Sequence, residues 1–407
     1  MKTRMGRREF LAAGGAAGLP MPAIAQAKAI KIGLLTVKTG PLAQGGFQME
    51  QGTALFLKHR GNKLAGRAVE LIVADTGGNP AGAKTKAQEL IERDEVDFIF
   101  GPLAAFELLA ISDYVARHKT PILSQAAAED MSQRKPNPYF IRTSGTSAQP
   151  MHPLADYART VLKYETVITV ANDFAYGYEQ VGGFQRVFED TGGRVKAKLW
   201  PPLVTPDYTP FIGQMSGVDA IVSGLGGGNP IKFMRQYKDA GVTLPLLGGG
   251  VAMDDGLLKS FGDEAIGVIS CAGYTADLDT PSNRRFVADS IRDYGGIPGS
   301  YAAGLYTNGQ VAEAALEKLG GNTDDKVALI AAMRAVTLTD TPRGPFHLDR
   351  FGNVVGDFFI RRCEKKDGKL VNTTIKTYKA VSQFWTYDES WFLSRPVYSR
   401  DYPPLKG

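Results

Sequence analysis

The chain has 407 residues, more than the roughly 250–300 at which a single hydrophobic core stops growing, so two domains are expected. Hydrophobic residues make up 43% and charged residues 22%, a balance that excludes a disordered or low-complexity chain. The formal net charge is +5, of which residues 1–27 carry +3. The remaining +2 excludes the basic surface of a nucleic-acid-binding protein.

The first 27 residues predict an export signal. The adjacent Arg7 and Arg8 match the twin-arginine type, an apolar Ala/Gly-rich run follows, and Ala25–Ala27 has the small residues of a signal-peptidase site. A basic amphipathic helix or a membrane anchor is the alternative. However, the run is broken by Pro20 and Pro22 and is shorter than the about 20 apolar residues that cross a bilayer. We therefore expect cleavage after Ala27 and a periplasmic protein.

From Lys28 onward, short apolar strands alternate with amphipathic helices. Asn79 and Pro80 supply an N-cap and a first-turn proline for one of these helices. In this first half the pattern predicts strands at Ala29–Val37, Val69–Ala74, Val96–Phe100 and Pro121–Ser124, and helices at Gln48–Lys58, Asn79–Arg93 and Ala105–His118.

The same alternation restarts in the middle of the chain. It predicts strands at Thr166–Ala171, Val195–Leu199, Ala220–Ser223 and Leu244–Leu247, and helices at Tyr178–Asp190 and Ile231–Asp239. Two successive series of this kind indicate an α/β protein with two doubly wound parallel-sheet lobes.

The C-terminal part has a different pattern. Helices at Ser282–Tyr294 and Tyr301–Leu319 precede hairpin-like strands at Val354–Cys363 and Thr373–Tyr378. The aromatic stretch Phe384–Pro404 predicts an irregular packed tail. Two cysteines, at positions 271 and 363, form either a disulfide or two buried thiols, and the sequence does not choose between them.

Glycine-rich segments follow the predicted strands, where open parallel sheets bind their ligands. Small residues at these places let main-chain N–H groups approach a ligand, and helix N-termini favour an anion. The segments are Thr39–Gly46, Gly101–Ala105, Gln125–Ala128, Asn172–Gly177, Gly224–Asn229 and Gly248–Gly250.

The order of these motifs resembles the periplasmic substrate-binding proteins of branched-chain amino acid ABC transporters, over about Lys28–Val381. The motifs are GPLAQGG (Gly40–Gly46), FIFGPLAAF (Phe98–Phe106), PILSQAAAEDMS (Pro121–Ser132) and NDFAYGYE (Asn172–Glu179). The resemblance implies the type I periplasmic-binding, or Venus-flytrap, fold, with three crossover strands near Ser144, Tyr274 and Leu348. Lobe 1 would then hold residues 28–144 and 275–348, lobe 2 residues 145–274 and 349–381, and the tail residues 382–407.

Four positions depart from the leucine-binding pattern. Ala105 and Ala128 stand where relatives place serine and threonine hydroxyls, and Gly248–Gly250 replaces the acid that pairs with the ammonium group. Gly45 replaces an aromatic residue and would open space. Because a buried ammonium without an anionic partner costs several kcal/mol, these changes point away from an α-amino acid.

The resemblance and the departures together predict a binding protein for a small carboxylate, with an aromatic acid preferred. The C-terminal tail is similar to that of the family's aromatic-acid-binding members. Main-chain N–H groups would hold the carboxylate, and Phe47, Phe106, Tyr176 and Tyr274 would supply aromatic walls. The predicted ligand-binding residues are Phe47, Ala104, Ala105, Phe106, Gln125, Ala126, Ala127, Tyr176, Gly226, Gly227, Gly250 and Tyr274. The expected partner is an inner-membrane ABC permease, and we expect a monomer without cofactor, metal or nucleic acid.

Three alternatives stay open. One is a branched-chain amino acid or amide binder of the same fold, and another is a sensor rather than a transport component. The third is an exported nucleotide-dependent enzyme, because Gly224 and Gly226 follow a predicted strand, although Asn229 occupies the third glycine position of the dinucleotide fingerprint. Arg142, just before a predicted crossover, either binds a carboxylate or ties the lobes together.

Overall fold

The computed structural model describes residues 28–406, so the predicted export signal lies outside the described residues. The strands are β1 (Ile30–Thr36), β2 (Lys63–Leu64), β3 (Arg67–Asp75), β4 (Phe98–Phe100), β5 (Ile122–Leu123), β6 (Phe140–Ile141), β7 (Thr166–Ala171), β8 (Arg194–Leu199), β9 (Ala220–Gly224), β10 (Leu246–Gly248), β11 (Ile269–Ala272), β12 (Thr337–Leu338), β13 (Phe346–Leu348), β14 (Val354–Lys366) and β15 (Lys369–Val381).

The helices alternate with these strands, and within residues 28–406 each of them is too short or too polar to cross a bilayer. They are α1 (Ala43–His59), α2 (Pro80–Gln88), α3 (Ala105–Arg117), α4 (Met151–Thr160), α5 (Ala175–Asp190), α6 (Thr209–Ile212), α7 (Asn229–Asp239), α8 (Pro281–Tyr294), α9 (Ser300–Lys318), α10 (Lys326–Arg334) and α11 (Glu389–Leu393).

The first sheet has the strand order β2-β3-β1-β4-β5-β6 and is parallel except for the β2–β3 hairpin. Its central strand β1 is buried on both faces, and Ile32 pairs with Leu71 on one side and Phe98 on the other. Separate hydrophobic cores cover the two faces, with α1 and α9 contributing to one and α2 and α3 to the other. This is the doubly wound lobe that the sequence predicts.

The second sheet has the strand order β12-β13-β14-β11-β10-β9-β7-β8, with β15 paired to β14. Strands β7 to β11 are parallel, whereas β14 runs antiparallel to β11 and forms a long hairpin with β15. Two further hydrophobic cores cover its faces. The two parallel-dominated sheets confirm the predicted α/β fold class.

The chain passes between the sheets three times, through residues 142–150, 273–280 and 335–353. The first two segments contain Ser144 and Tyr274, where crossovers were expected. In the third, β12 and β13 already pair with the second sheet, before the expected crossover at Leu348. The side chains of Phe346 and Leu348 nonetheless pack into the core of the first lobe, so the hydrophobic pattern alone favours that lobe.

Helix α1 begins at Ala43, five residues before the predicted start at Gln48. Its first turn contains Gly45 and Gly46, which carry no hydrophobic periodicity. A methyl group at position 46 would lie 1.8 Å from the Val37 carbonyl oxygen, so glycine is required for the helix to begin against β1. Helices α4 and α10 were not predicted.

The two cysteines are free and buried. Cys271 lies on β11 and Cys363 on the neighbouring β14, but their side chains belong to cores on opposite faces of the sheet. The main chain of the sheet separates the two sulfur atoms. The sequence left a disulfide and two buried thiols as alternatives, and the structure has the two buried thiols. Burial raises the pKa of Cys363 to about 12, and that of Cys271 further.

The C-terminal tail packs against α5 of the second lobe. Phe384, Phe392 and Tyr398 form a small buried cluster, and the guanidinium of Arg186 lies over several rings of the tail. Asp388 caps α11 by accepting a hydrogen bond from the Trp391 N–H.

Candidate ligand-binding cleft

A cleft with an empty volume of about 940 Å³, including its opening to solvent, lies between the two sheets. The carboxyl ends of β4, β5, β9, β10 and β11 and the connecting segments supply its walls, as expected for parallel sheets. The predicted residues that line it are Ala104, Ala105, Gln125, Ala127, Tyr176, Gly226, Gly227, Gly250 and Tyr274.

Three predicted residues do not line this cleft. Phe47 lies on the outer face of α1 and is 43% exposed, because the buried face of that helix is formed by its neighbours. Phe106 packs behind the cleft wall, with its ring 5.6 Å from that of Phe174. Ala126 is buried, and its N–H donates to the Ser124 hydroxyl at 2.9 Å. The prediction that Phe47 forms an aromatic wall is therefore wrong, and so is the prediction that the Ala126 N–H binds the anion.

Glycine-rich loops of the two lobes meet at the cleft, as the sequence suggested. The Gly228 N–H donates to the Pro41 carbonyl oxygen at 3.1 Å. Gly227 has φ of +61°, and a methyl group there would lie 2.3 Å from the same oxygen. Only glycine allows this approach. The glycines of the Gly224–Asn229 segment therefore allow contact between the lobes and do not form a dinucleotide-binding motif.

Arg343 is the charged residue of the cleft, and the sequence did not point to it. It is 3% exposed, lines the cleft, and precedes β13 in a Pro/Gly turn of the third connecting segment. Its guanidinium donates to the Thr143 carbonyl and lies 5.7 Å from the Phe346 ring centroid and 5.8 Å from that of Phe358. It makes no ion pair within residues 28–406, and its Nε lacks a hydrogen-bond partner there.

Arg343 is a buried cation without a counter-ion in the described chain. Desolvation lowers its pKa to about 10, while the charge of Asp357 opposes this. At neutral pH the guanidinium is therefore charged, buried and without a carboxylate partner, which is costly unless a ligand supplies one. An arginine in a Pro/Gly turn is typically exposed, so only the fold reveals its position.

The aromatic lining is richer than predicted. Besides Tyr176 and Tyr274, the rings of Phe174, Tyr301 and Phe358 line the cleft. Gly45 does not open space at the ligand site, because a methyl group there would lie 2.6 Å from Leu103 and 3.2 Å from the Tyr301 ring. The vacated volume is filled by those two side chains. Phe174 lies within the quoted NDFAYGYE motif, whose spacing could have identified it.

Several buried polar atoms on lining residues lack hydrogen-bond partners within the described chain. They are the hydroxyls of Tyr176, Tyr274 and Ser300 and the Oε1 atom of Gln180. The Gln180 amide nitrogen donates to the Ser147 carbonyl at 2.7 Å, so its oxygen remains an acceptor. Tyr176 lies near the Val251 main chain without a hydrogen bond of normal geometry. Such atoms typically bind water or ligand.

The N-terminus of α3, an expected anion site, already has a carboxylate beside it. Glu107 is fully buried, accepts a hydrogen bond from the Ala104 N–H at 3.0 Å and another from the Thr76 hydroxyl. Desolvation raises the pKa of Glu107. A second carboxylate near Ala105 would be repelled by the first, so this helix start is a poorer anion site than the sequence suggested.

Arg142 does not line the cleft but braces its rear wall. Its guanidinium donates to the Ala126 and Ala128 carbonyls, and at 3.0 Å to Asn353, which precedes β14. Arg142 therefore ties the lobes together. Behind the same wall Glu179 of α5 accepts a hydrogen bond from the Glu129 N–H at 3.1 Å.

Asp and Glu are absent from the cleft lining within residues 28–406. Gly250 and Ala105, two of the expected departures from the leucine-binding pattern, both line the cleft. Ala128, the other departure, is buried and bonds Arg142 through its carbonyl. No group of three or more potential metal ligands occurs in the described part of the chain. The lining has one cation, several hydroxyls and five aromatic rings, which suits an aromatic anion.

The Periplasmic binding protein family matches residues 29–369. The chain belongs to this family. It is 28% identical, over 87% of this chain and 93% of the relative, to Leu/Ile/Val-binding protein homolog 6 of Brucella melitensis. Two ABC-transporter solute-binding proteins of Rhodopseudomonas palustris are similar in structure. One, in complex with 3,4-dihydroxybenzoic acid, is 33% identical with a TM-score of 0.83, covering 87% of this chain and 98% of that chain.

The other, in complex with 4-hydroxybenzoate, is 28% identical with a TM-score of 0.82, covering 88% of this chain and 99% of that chain. These relatives confirm the type I periplasmic-binding fold and the assignment to ABC-transporter substrate-binding proteins. They are solute-binding proteins rather than enzymes. They also include aromatic-acid binders.

Proposed function

We propose that this periplasmic binding protein captures an aromatic monocarboxylate in the cleft and presents it to an ABC permease. One observation carries the proposal: the buried guanidinium of Arg343 lies among aromatic rings without an anionic partner in the described chain. A ligand carboxylate beside the guanidinium would form a charge-assisted hydrogen bond with it, the stronger class of such bonds.

The rest of the cleft suits the body of such a ligand. Aromatic side chains from both lobes, including Phe174, Tyr301 and Phe358, would enclose a benzene ring in offset or edge-to-face contacts. The hydroxyls of Tyr176 and Tyr274 and the Gln180 oxygen are available for a polar ring substituent. Solved relatives with benzoate, 4-hydroxybenzoate or 3,4-dihydroxybenzoic acid bind ligands of this kind.

A branched-chain amino acid is the competing ligand, because the curated relatives are Leu/Ile/Val-binding proteins. Its ammonium group needs an anionic partner, and the described lining has no carboxylate. Asp254 lines a small adjoining cavity, but its oxygens already accept hydrogen bonds from Gln48, Ser300 and Gly256. The amino acid would also place its ammonium group in a cleft where, among the described residues, Arg343 is the charged side chain.

Binding would proceed by hinge closure, with the ligand stabilising the closed form through contacts to both lobes. The rigid bodies we propose are residues 28–144 with 275–334 and residues 145–274 with 335–381, because β12 pairs with β13 and β13 pairs with β14 of the second sheet. We further propose export by the twin-arginine route, cleavage after Ala27, and a monomer in the periplasm. Family membership and the sequence of residues 1–27 support this location.

Thermal-shift screening of the purified mature protein tests the ligand class. Benzoate, 4-hydroxybenzoate and 3,4-dihydroxybenzoate should raise Tm in a concentration-dependent way, because a ligand that binds only the native state stabilises it. Leucine and valine at the same concentrations should leave Tm unchanged. A rise with leucine or valine and none with the aromatic acids would overturn the proposal.

A further inference from the structure

The N-terminus of helix α9 in the first lobe is capped by a side chain of the second lobe. Helix α9 starts at Ser300 after Gly299, which has no side chain with which to cap it. The Ser300 N–H instead donates at 2.7 Å to Oδ2 of Asp254, which follows β10 of the other sheet. A carboxylate at a helix N-terminus is favoured by both the hydrogen bond and the helix dipole.

Asp254 has a second bond to the first lobe. Its Oδ1 accepts a hydrogen bond from the Gln48 side-chain amide of α1 at 2.9 Å and one from Gly256 of its own lobe at 3.1 Å. The residue is 1% exposed and makes no ion pair in the described chain. A buried carboxylate held by neutral donors from both lobes keeps those donors only while the lobes are together.

Two glycines make this contact possible. A methyl group on Gly299 would lie 1.9 Å from Oδ1 of Asp254, and one on Gly256 would lie 2.7 Å from the Gln48 amide nitrogen. Gly299 has φ of −98°, an extended backbone that any residue adopts. Close approach, rather than backbone freedom, is therefore the reason that position 299 requires glycine.

We propose that Asp254 is an interlobe latch that stabilises the closed, ligand-bound form. Gln48, Asp254 and Gly299 all lie outside the three connecting segments, so the latch acts apart from the hinge. Ser300 and Tyr301, the first residues of the capped helix, line the cleft, and the latch thereby positions them against the ligand. Asp254 is a positioning residue in this proposal, which rests on the proposed function for the ligand itself.

The test compares Asp254→Ala and Gly299→Ser with wild type and with Asp263→Ala, an exposed-carboxylate control on the same lobe. Gly299→Ser is decisive because serine is a favourable N-cap that preserves or improves helix stability, while its side chain blocks the Asp254 approach. Stopped-flow fluorescence with 4-hydroxybenzoate should show dissociation about tenfold faster in both latch variants, with little change in association rate. The ligand-free Tm of Gly299→Ser should not fall.

Small-angle scattering on the ligand-free proteins supplies an arm that does not depend on the ligand. Without ligand the lobes exchange between open and closed forms, and the latch favours the closed one. Both latch variants should therefore have a larger radius of gyration than wild type and Asp263→Ala. Unchanged dissociation rates and unchanged radii overturn the latch. If wild type binds none of the aromatic acids, the proposed function fails. The scattering measurement then tests the latch by itself, and equal radii of gyration for wild type and both latch variants would overturn it.

Discussion

Arg343 donates a hydrogen bond to the main-chain carbonyl of Thr143, and this bond joins the third connecting segment to the first at the cleft. The guanidinium is thereby held in one orientation by groups that carry no negative charge. Binding of an anion then requires little reorganisation, which is the condition for a strong electrostatic contribution to affinity.

Arg343→Met should abolish most aromatic-acid binding. Loss of a buried charge-assisted partner costs about 2–5 kcal/mol, so Kd for 4-hydroxybenzoate should rise at least roughly 30-fold in calorimetric titrations. Arg284→Met, which removes an exposed arginine of α8, should leave Kd unchanged. The folded state should survive, because apolar replacement of a buried charge is often close to neutral. Equal Kd values for Arg343→Met and wild type would contradict the placement of the carboxylate.

The tyrosine hydroxyls should determine preference among aromatic acids. Tyr176→Phe and Tyr274→Phe remove hydroxyls that lack partners in the described chain, so stability should change little. Each should weaken 4-hydroxybenzoate by about 0.5–1.5 kcal/mol and leave benzoate nearly unchanged. The ratio of the two Kd values is the measurement. Tyr237→Phe, whose hydroxyl bonds the Leu244 carbonyl outside the cleft, is the control for binding. Identical losses for both acids would show that the hydroxyls do not contact the substituent.

Glu129 should make stability fall as pH rises. It is fully buried, and desolvation raises its pKa from 4.5 to about 7, although the charges of Arg134 and Arg142 oppose this rise. Because the native state holds the proton more tightly, the contribution is fully present below pH 4.5 and is lost as pH rises through 7. The shift corresponds to a change on the order of 3 kcal/mol in unfolding free energy.

Chemical denaturation of wild type and Glu129→Gln across this pH range measures the effect. Asp255, whose pKa is also raised to about 7 by burial, contributes in the same direction to both proteins and cancels in their difference. Burial and the charge of Glu129 also raise the pKa of Glu179, so the difference reports the Glu129–Glu179 pair. The variant should show a shallower decline with pH. Parallel pH profiles for the two proteins would rule out a neutral Glu129 in the native state.

The cysteines should remain as thiols when the protein is kept under oxidising conditions. Cys271 and Cys363 lie on opposite faces of the second sheet, and both are buried with raised pKa values. A thiol reagent should therefore react slowly with the native protein and label both cysteines at once after unfolding without reductant. Intact-mass analysis counts the labels. A single disulfide, seen as no labelling after unfolding, would contradict this arrangement.

Much of the architecture follows from patterns that a sequence displays directly. Buried strands such as β1 and β7 are continuous apolar runs, and Asn79 with Pro80 marks the start of α2, where Asn79 accepts the Gly82 N–H. Glycine-rich loops after these strands identified much of the cleft wall. These patterns depend on residues close together in the chain, so they can be recognised without knowledge of the tertiary structure.

The features that the sequence missed depend on distant neighbours. Arg343 lies in a turn that resembles a surface loop, and only the return of the third segment buries it beside Thr143. One missed contact is local: the Ala126 N–H was expected to bind an anion, but it donates to the hydroxyl of Ser124, two residues earlier. The start of α1 was missed because glycines chosen for close packing carry no hydrophobic period.

The central claim is that the cleft binds a carboxylate on an aromatic ring through Arg343. Its most direct test is calorimetric titration of wild type with 4-hydroxybenzoate and with 4-hydroxybenzamide, which has the same ring and hydroxyl but no negative charge. The acid should bind and the amide should bind at least roughly 30-fold more weakly, with that difference lost in Arg343→Met. Equal affinity of wild type for the acid and the amide would contradict the account.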